Sequence, residues 1–174
     1  MSQAFPPRHA CFTFSGDGAV PNSPLPLLLY RGVVKLDEND PAATIERLFT
    51  ENGWTGTWRN GIYPFHHYHS TAHEVLGIAR GSAVVRFGGE RGRDVEVEAG
   101  DVVVIPAGVG HKRQSASDDF LVVGAYPPDM EADLIKADPA DYEAAQKRIA
   151  ELPMPRTDPV TGKTGGLTEL YHAA

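Results

Sequence analysis

Four of the seven histidines in this chain fall within eight positions, His66, His67, His69 and His73, and Glu74 follows at once. His67 and His69 are two apart, so on a strand both imidazoles leave the same face, close enough to grip one ion. Glu74 lies beyond them at a spacing that a single strand would turn to the opposite face. A loop at Ser70-Thr71-Ala72 that starts a new strand brings its carboxylate back toward the same ion. A slip of one residue in that new strand would exchange Glu74 for His73. His66 and His73 otherwise point away from the pair, in supporting or surface roles.

Downstream, Gly100-Asp101-Val102-Val103-Val104-Ile105-Pro106-Ala107-Gly108-Val109-Gly110-His111 reads as a turn, a buried strand, a Pro-Gly turn and a histidine. The two segments together resemble the cupins. The first cupin motif, G-x5-H-x-H-x4-E-x6-G, is met by Gly61, His67, His69, Glu74 and Gly81. The second, G-x5-P-x-G-x2-H-x3-N, is met by Gly100, Pro106, Gly108 and His111, with Ser115 standing in the asparagine's place. The flanks, Asp17-Gly18, Pro21-Asn22, Leu27-Leu28-Leu29-Tyr30 and Asp158-Pro159-Val160-Thr161-Gly162, are similar to the YjlB-like bacterial cupins.

The resemblance implies an all-β fold, the double-stranded β-helix or jelly roll, with a few peripheral α-helices. It also implies one divalent metal held by His67, His69, Glu74 and His111. Three imidazoles and one carboxylate suit Fe, Mn, Ni, Co or Zn and suit Ca or Mg poorly. On a six-coordinate ion two positions stay open for substrate, water or oxygen.

The elements that must position these groups are legible in outline. From Trp54 to Tyr126 short strand-like runs alternate with glycines, as in a sandwich or barrel. Ala83–Phe87 and Asp94–Glu98 alternate at period two around Gly88-Gly89-Glu90-Arg91-Gly92 and read as a hairpin. Val102–Ile105 and Phe120–Ala125 are two further apolar strands. Leu25–Val34 is expected as a strand whose prolines favour an edge. Asp40-Pro41 opens a helix with Ile45, Leu48 and Phe49 on its buried face, and Asp138-Pro139 opens another with Tyr142, Ala145, Ile149 and Leu152. A short apolar helix is expected around Met130 to Ile135. The Pro-, Gly- and Thr-rich tail from Pro153 is expected to be extended and held by Leu167, Leu170 and Tyr171.

One cupin domain over 1–174 accounts for this pattern: a barrel at about 54–126, N-terminal strands and helix at 11–53, and a C-terminal helical segment and tail at 127–174. The 174 residues include 18 Gly and 14 Pro, an excess that favours turns and strands. A net charge of −7 leaves no basic field for nucleic acid or an anionic membrane. Cys11 has no second cysteine to pair with, Met1 to Phe14 lacks a secretory leader's basic start and apolar stretch, and no apolar run approaches a membrane span. A cytoplasmic location is expected, and a homodimer, because cupins commonly pair and the Leu25–Val34 strand offers an edge.

Around the ligands, Tyr63, Phe65 and Tyr68 are candidate pocket walls, although aromatics on strands are more often core. If Glu74 faces inward, so do Leu76 and Ile78, with Ala83, Val85 and Phe87 across from them. Arg80, Arg86 and Arg113 are candidates for a substrate carboxylate, solvated surface being the ordinary reading of each. Thr161-Gly162-Lys163-Thr164 imitates a phosphate loop without the preceding strand.

The function expected is a metal-dependent enzyme on a small organic molecule: a dioxygenase or oxidase with iron or manganese, an isomerase or hydrolase with nickel or zinc. No general base stands out beside the motif. That gap sustains the alternative, a non-catalytic metal-containing protein that binds a small molecule.

Overall fold

Alternation at period two folds the chain into two antiparallel sheets that face each other. The computed structural model describes residues 7–172, so the first six and last two positions of the expected 1–174 domain, and the start of the segment read for a leader, lie outside the described residues. In chain order the strands are β1 (His9–Phe14), β2 (Ser23–Tyr30), β3 (Thr55–Asn60), β4 (His67–Tyr68), β5 (Glu74–Arg80) and β6 (Ser82–Phe87). They continue as β7 (Arg93–Glu98), β8 (Val102–Ile105), β9 (His111–Ala116), β10 (Leu121–Tyr126) and β11 (Ile135–Lys136). One sheet has the order β1-β2-β8-β5-β10-β3 and the other β11-β4-β9-β6-β7.

The expected hairpin is β6 with β7, Val85 opposite Val95 and Arg86 opposite Asp94. Its inward residues Ala83, Val85, Phe87, Val95 and Val97 meet Leu27, Leu29, Leu76, Ile78, Val103, Ile105 and Val122 from the other sheet. Each fully buried side chain of this size stabilises the fold by about 1.5–3 kcal/mol, so this inter-sheet layer is the principal support of anything mounted on its rim.

Helix α1 (Pro41–Glu51) begins where expected, the Asp40 carboxylate accepting the Ala43 N–H at 3.1 Å. Ile45 and Phe49 lie against the outer face of the first sheet, and Gly77 on β5 makes room for them. A Cβ at Gly77 would sit 2.5 Å from Ile45 Cγ2. Helix α2 (Pro139–Glu151) is likewise capped by Asp138, and its Ala145 packs with Tyr68 and Val20 outside the second sheet. Among the described residues no helix is long and apolar enough to cross a membrane.

Three expectations are corrected. The Leu25–Val34 strand is no edge: β2 lies between β1 and β8, and it ends at Tyr30. Its prolines are tolerated because β8 pairs only with Leu28–Tyr30, and β1 breaks register between Phe12 and Phe14 where Pro24 and Pro26 fall. Met130–Ile135 forms no helix. Asp129 is left-handed at φ 65°, the Asp133 carboxylate is bound to Ser70 and Thr71, and Ile135-Lys136 pairs with Tyr68-His67 as β11. So short an apolar run cannot nucleate a helix against those contacts.

The tail is not simply extended: it turns about the buried Asp158 and ends in a short helix, α3 (Leu167–Leu170). Asp158 accepts N–H bonds from Val160, Thr161 and Leu167 and an O–H bond from Tyr30 at 2.6 Å. The segment that imitates a phosphate loop therefore already wraps an anion, its own carboxylate. Leu167 and Tyr171 are buried as expected, and Leu170 is half-buried.

Candidate metal centre

His67 lies on β4 and is the direct partner of His111 on β9, with ring centroids 4.0 Å apart. His69 stands just past the end of β4, 5.5 Å from the His111 ring. The three rings offer donor atoms that all lie within 4.8 Å of one another. Glu74 opens β5 in the facing sheet, opposite Ile105. The loop at Ser70–His73 thus carries the chain from one sheet to the other and returns the carboxylate to the histidines. Its Oε2 is 3.2 Å from His69 Nε2 and its Oε1 is 3.3 Å from His111 Nε2.

The far side of each ring settles which nitrogen is free. His67 Nδ1 is 2.9 Å from the Phe65 carbonyl, His111 Nδ1 is 3.1 Å from the Val109 carbonyl, and His69 Nδ1 meets the Asp133 carbonyl. A carbonyl only accepts, so each Nδ1 carries the proton and each neutral ring turns an Nε2 lone pair inward. Lone pairs facing a carboxylate require positive charge between them, either protons or a metal ion. His67, His111 and Glu74 are buried, so water cannot screen that requirement. The residues present therefore fit a transition-metal ion, by donor type and by the carbonyls that orient the donors.

Without an ion the cluster must share protons. Burial, reinforced by the neighbouring His111 ring, pushes His67 down to about 3. Burial also opposes charge on His69, but the Glu74 carboxylate and the Asp133 carbonyl outweigh it and raise that ring to about 9. Burial works against ionised Glu74 too, yet His69 and His111 hold it below the ordinary carboxylate range.

The neighbouring histidines do other things. His66 turns outward to Glu90, Nε2 to Oε2 at 2.9 Å. His73 is buried on the other side of the loop, its Nδ1 accepting the Ala107 N–H at 2.9 Å, and burial lowers it to about 4. The structure places Glu74, not His73, beside His69 and His111.

Above the cluster a cavity of about 480 Å³ is lined by Trp58, Ile62, Tyr63, Leu76, Tyr126 and Leu134, with Arg113 among them. Tyr63 forms the rim, half-exposed and stacked on Phe65 at 5.0 Å. Phe65 carries Lys136 over its ring, and Tyr68 is buried in the layer under α2, so neither lines the cavity. Leu76 and Ile78 face inward with Ala83, Val85 and Phe87, as expected. Arg80 is exposed, Arg86 pairs with Asp94 at 2.8 Å, and Arg113 alone of the three reaches the cavity.

Among the contributors not found in the sequence are Trp58, Tyr126 and Asp133. Trp58 Nε1–H donates to the Tyr126 hydroxyl at 2.8 Å, in the space left by Gly124 on β10. Burial and nearby Glu74 push the Tyr126 phenol above its ordinary range, so it stays protonated and acts as a donor. Asp133 binds the Ser70 N–H at 2.6 Å and lends its carbonyl to His69. The only available signal was Asp133's place just after Pro127-Pro128.

Comparison with known proteins agrees with the motifs. A family model described as the cupin domain matches residues 59–123. The uncharacterized protein YjlB of Bacillus subtilis is 43% identical over 161 residues, 92% of this chain and 94% of its own length. The chain belongs to the cupin family, in the group of that YjlB protein. Among solved structures it is similar to acireductone dioxygenase from Bacillus anthracis with cadmium in its active centre, at 22% identity and TM-score 0.39, over 58% of this chain and 70% of that one. It is also similar to procruciferin, an 11S globulin from Brassica napus, at 21% identity and TM-score 0.38, over 47% of this chain and 21% of the globulin. The match thus spans well under two thirds of the globulin.

Proposed function

We propose that this cupin is a metal-dependent enzyme acting on a small organic molecule, in which His67, His69, Glu74 and His111 hold one divalent Fe, Mn, Ni, Co or Zn ion. The observation that carries the reading is the set of three Nδ1–carbonyl bonds, which free the Nε2 atoms of three clustered rings, two of them against the buried Glu74 carboxylate. An ion held there supplies Lewis acidity and a template for substrate. The surrounding chain excludes water with Trp58, Ile62 and Leu76, and Tyr126 keeps a hydroxyl proton available beside Glu74. The two facing sheets serve as the jelly-roll shell of this site, one domain with α1 and α2 outside it. A cytoplasmic location and a homodimer, the latter measurable by light scattering, complete the reading.

The test is turnover. Chelated protein is reloaded with each of the five ions and incubated with small organic acids, sugars and phenols, following oxygen uptake and product by mass spectrometry. Ion-dependent consumption of a substrate supports the enzyme. Tight binding with every ligand recovered unchanged supports instead the non-catalytic binding protein.

A further inference from the structure

Arg113 is two residues beyond His111 on β9, ahead of the register break between Val84 and Val85, so strand parity turns both side chains to the same face. Its backbone is pinned to the rim, the Arg113 N–H donating to the Tyr63 carbonyl at 3.0 Å. Arg113 is half-buried and lines the cavity. Neighbouring arginines are already neutralised: Arg59 pairs with Glu46 and Asp40, and Arg86 with Asp94. Among the described residues Arg113 has no acidic partner within ion-pair distance.

The acids that line the cavity are spoken for. Glu74 is shared between His69 and His111, and both Asp133 oxygens bind Ser70, one reaching Thr71 as well. The cavity wall also holds Arg59, already paired with Glu46 and Asp40, and Asn60, so Arg113 is the forked cation left without an ion pair beside Trp58, Ile62, Tyr63 and Leu134, the chemistry that recognises a planar anion on an apolar body.

We propose that the cavity takes small organic carboxylates, the Arg113 guanidinium holding the carboxylate while Trp58, Tyr63 and Leu134 cover the body of the molecule. The idea deepens the reading above and rests on it for the reacting centre, but the guanidinium belongs to the chain, so carboxylate recognition is measurable with or without an ion.

The test uses matched pairs that differ only in charge, benzoate with benzamide and lactate with lactamide. They are titrated calorimetrically into the full chain, chelated and reloaded with zinc, as wild type, Arg113→Gln and Arg113→Lys. Wild type is expected to prefer the carboxylate of a pair by at least about tenfold, the scale of one charge-assisted hydrogen bond. In the chelated protein Arg113→Gln abolishes that preference and Arg113→Lys retains part of it, while the reloaded samples of all three hold the same zinc. A preference that survives Arg113→Gln in the chelated protein overturns the proposal, and so does wild type that binds neither carboxylate at about 10 mM in either form. Failure of every sample to take up zinc counts against the metal reading alone, because the chelated samples score Arg113 separately.

Discussion

His67 and His111 are direct partners across the β4–β9 ladder, with ring centroids 4.0 Å apart. Each also bonds the carbonyl two residues upstream of itself. Sheet pairing sets the distance between the two donors and local backbone sets their tautomer, so the pair is organised before any ion arrives.

Glu74 is the negative charge this arrangement is built around. Glu74→Gln keeps the shape and removes the charge, and is expected to weaken zinc binding by at least about 100-fold, the upper range for losing a mere supporting contact. Competition with a chromophoric chelator measures it; an unchanged dissociation constant would remove Glu74 from the site.

Metal removal should expose an unusual pH profile. His69 is raised to about 9 by Glu74 and Asp133 against the pull of burial, so below pH 6.5 its stabilisation is complete and it is lost as pH climbs toward 9. Burial lowers His67 to about 3 and His73 to about 4, so their contribution is complete above 6.5 and lost as pH falls. The chelated protein is expected to show its highest Tm near pH 6.5, the ordinary imidazole value, with a fall on both sides. Zinc-loaded protein keeps His69 neutral and should show no fall between 6.5 and 9. Calorimetric scans across pH 4–9.5 of chelated protein that rise steadily to the alkaline end would contradict this.

Much of the site was legible because it is local. His67 and His69 share a face by strand parity, and the Gly100–His111 segment carries its own turns. Glu74 was readable only by granting a loop at Ser70-Thr71-Ala72 that starts a new strand, and that strand lies in the facing sheet. Trp58, Tyr126 and Asp133 were hidden because cross-sheet register and loop docking bring them in, and neither leaves a period in the sequence. The Met130–Ile135 error has the same origin: Asp133 clamped to Ser70 outweighs a weak helical pattern. Pro24 and Pro26 misled for the opposite reason, since a register break in β1 accommodates them without an edge.

Asp133 tests that clamp. Asp133→Ala removes the bonds to Ser70 and Thr71 and frees the segment whose carbonyl orients His69. It is expected to destabilise the fold by about 1–3 kcal/mol and to weaken zinc binding about 10- to 100-fold. Urea melts and chelator competition on one preparation measure both; full affinity in a destabilised variant would separate the clamp from the site.

Gly77 supplies a control remote from the chemistry. Gly77→Ala drives a methyl against Ile45 and is expected to lower stability by about 1–3 kcal/mol while leaving metal content unchanged. Pairing it with Ile45→Leu, which removes the Cγ2 branch that the new methyl meets, should recover part of the loss in urea melts.

The most direct test of the central claim is elemental analysis of protein purified without a chelating tag, wild type beside His111→Ala, with circular dichroism to verify the fold. Close to one iron, manganese, nickel, cobalt or zinc per chain in wild type, absent from a folded variant, is the expected result. Equal metal in the two, or none in wild type even after reconstitution, would contradict the account.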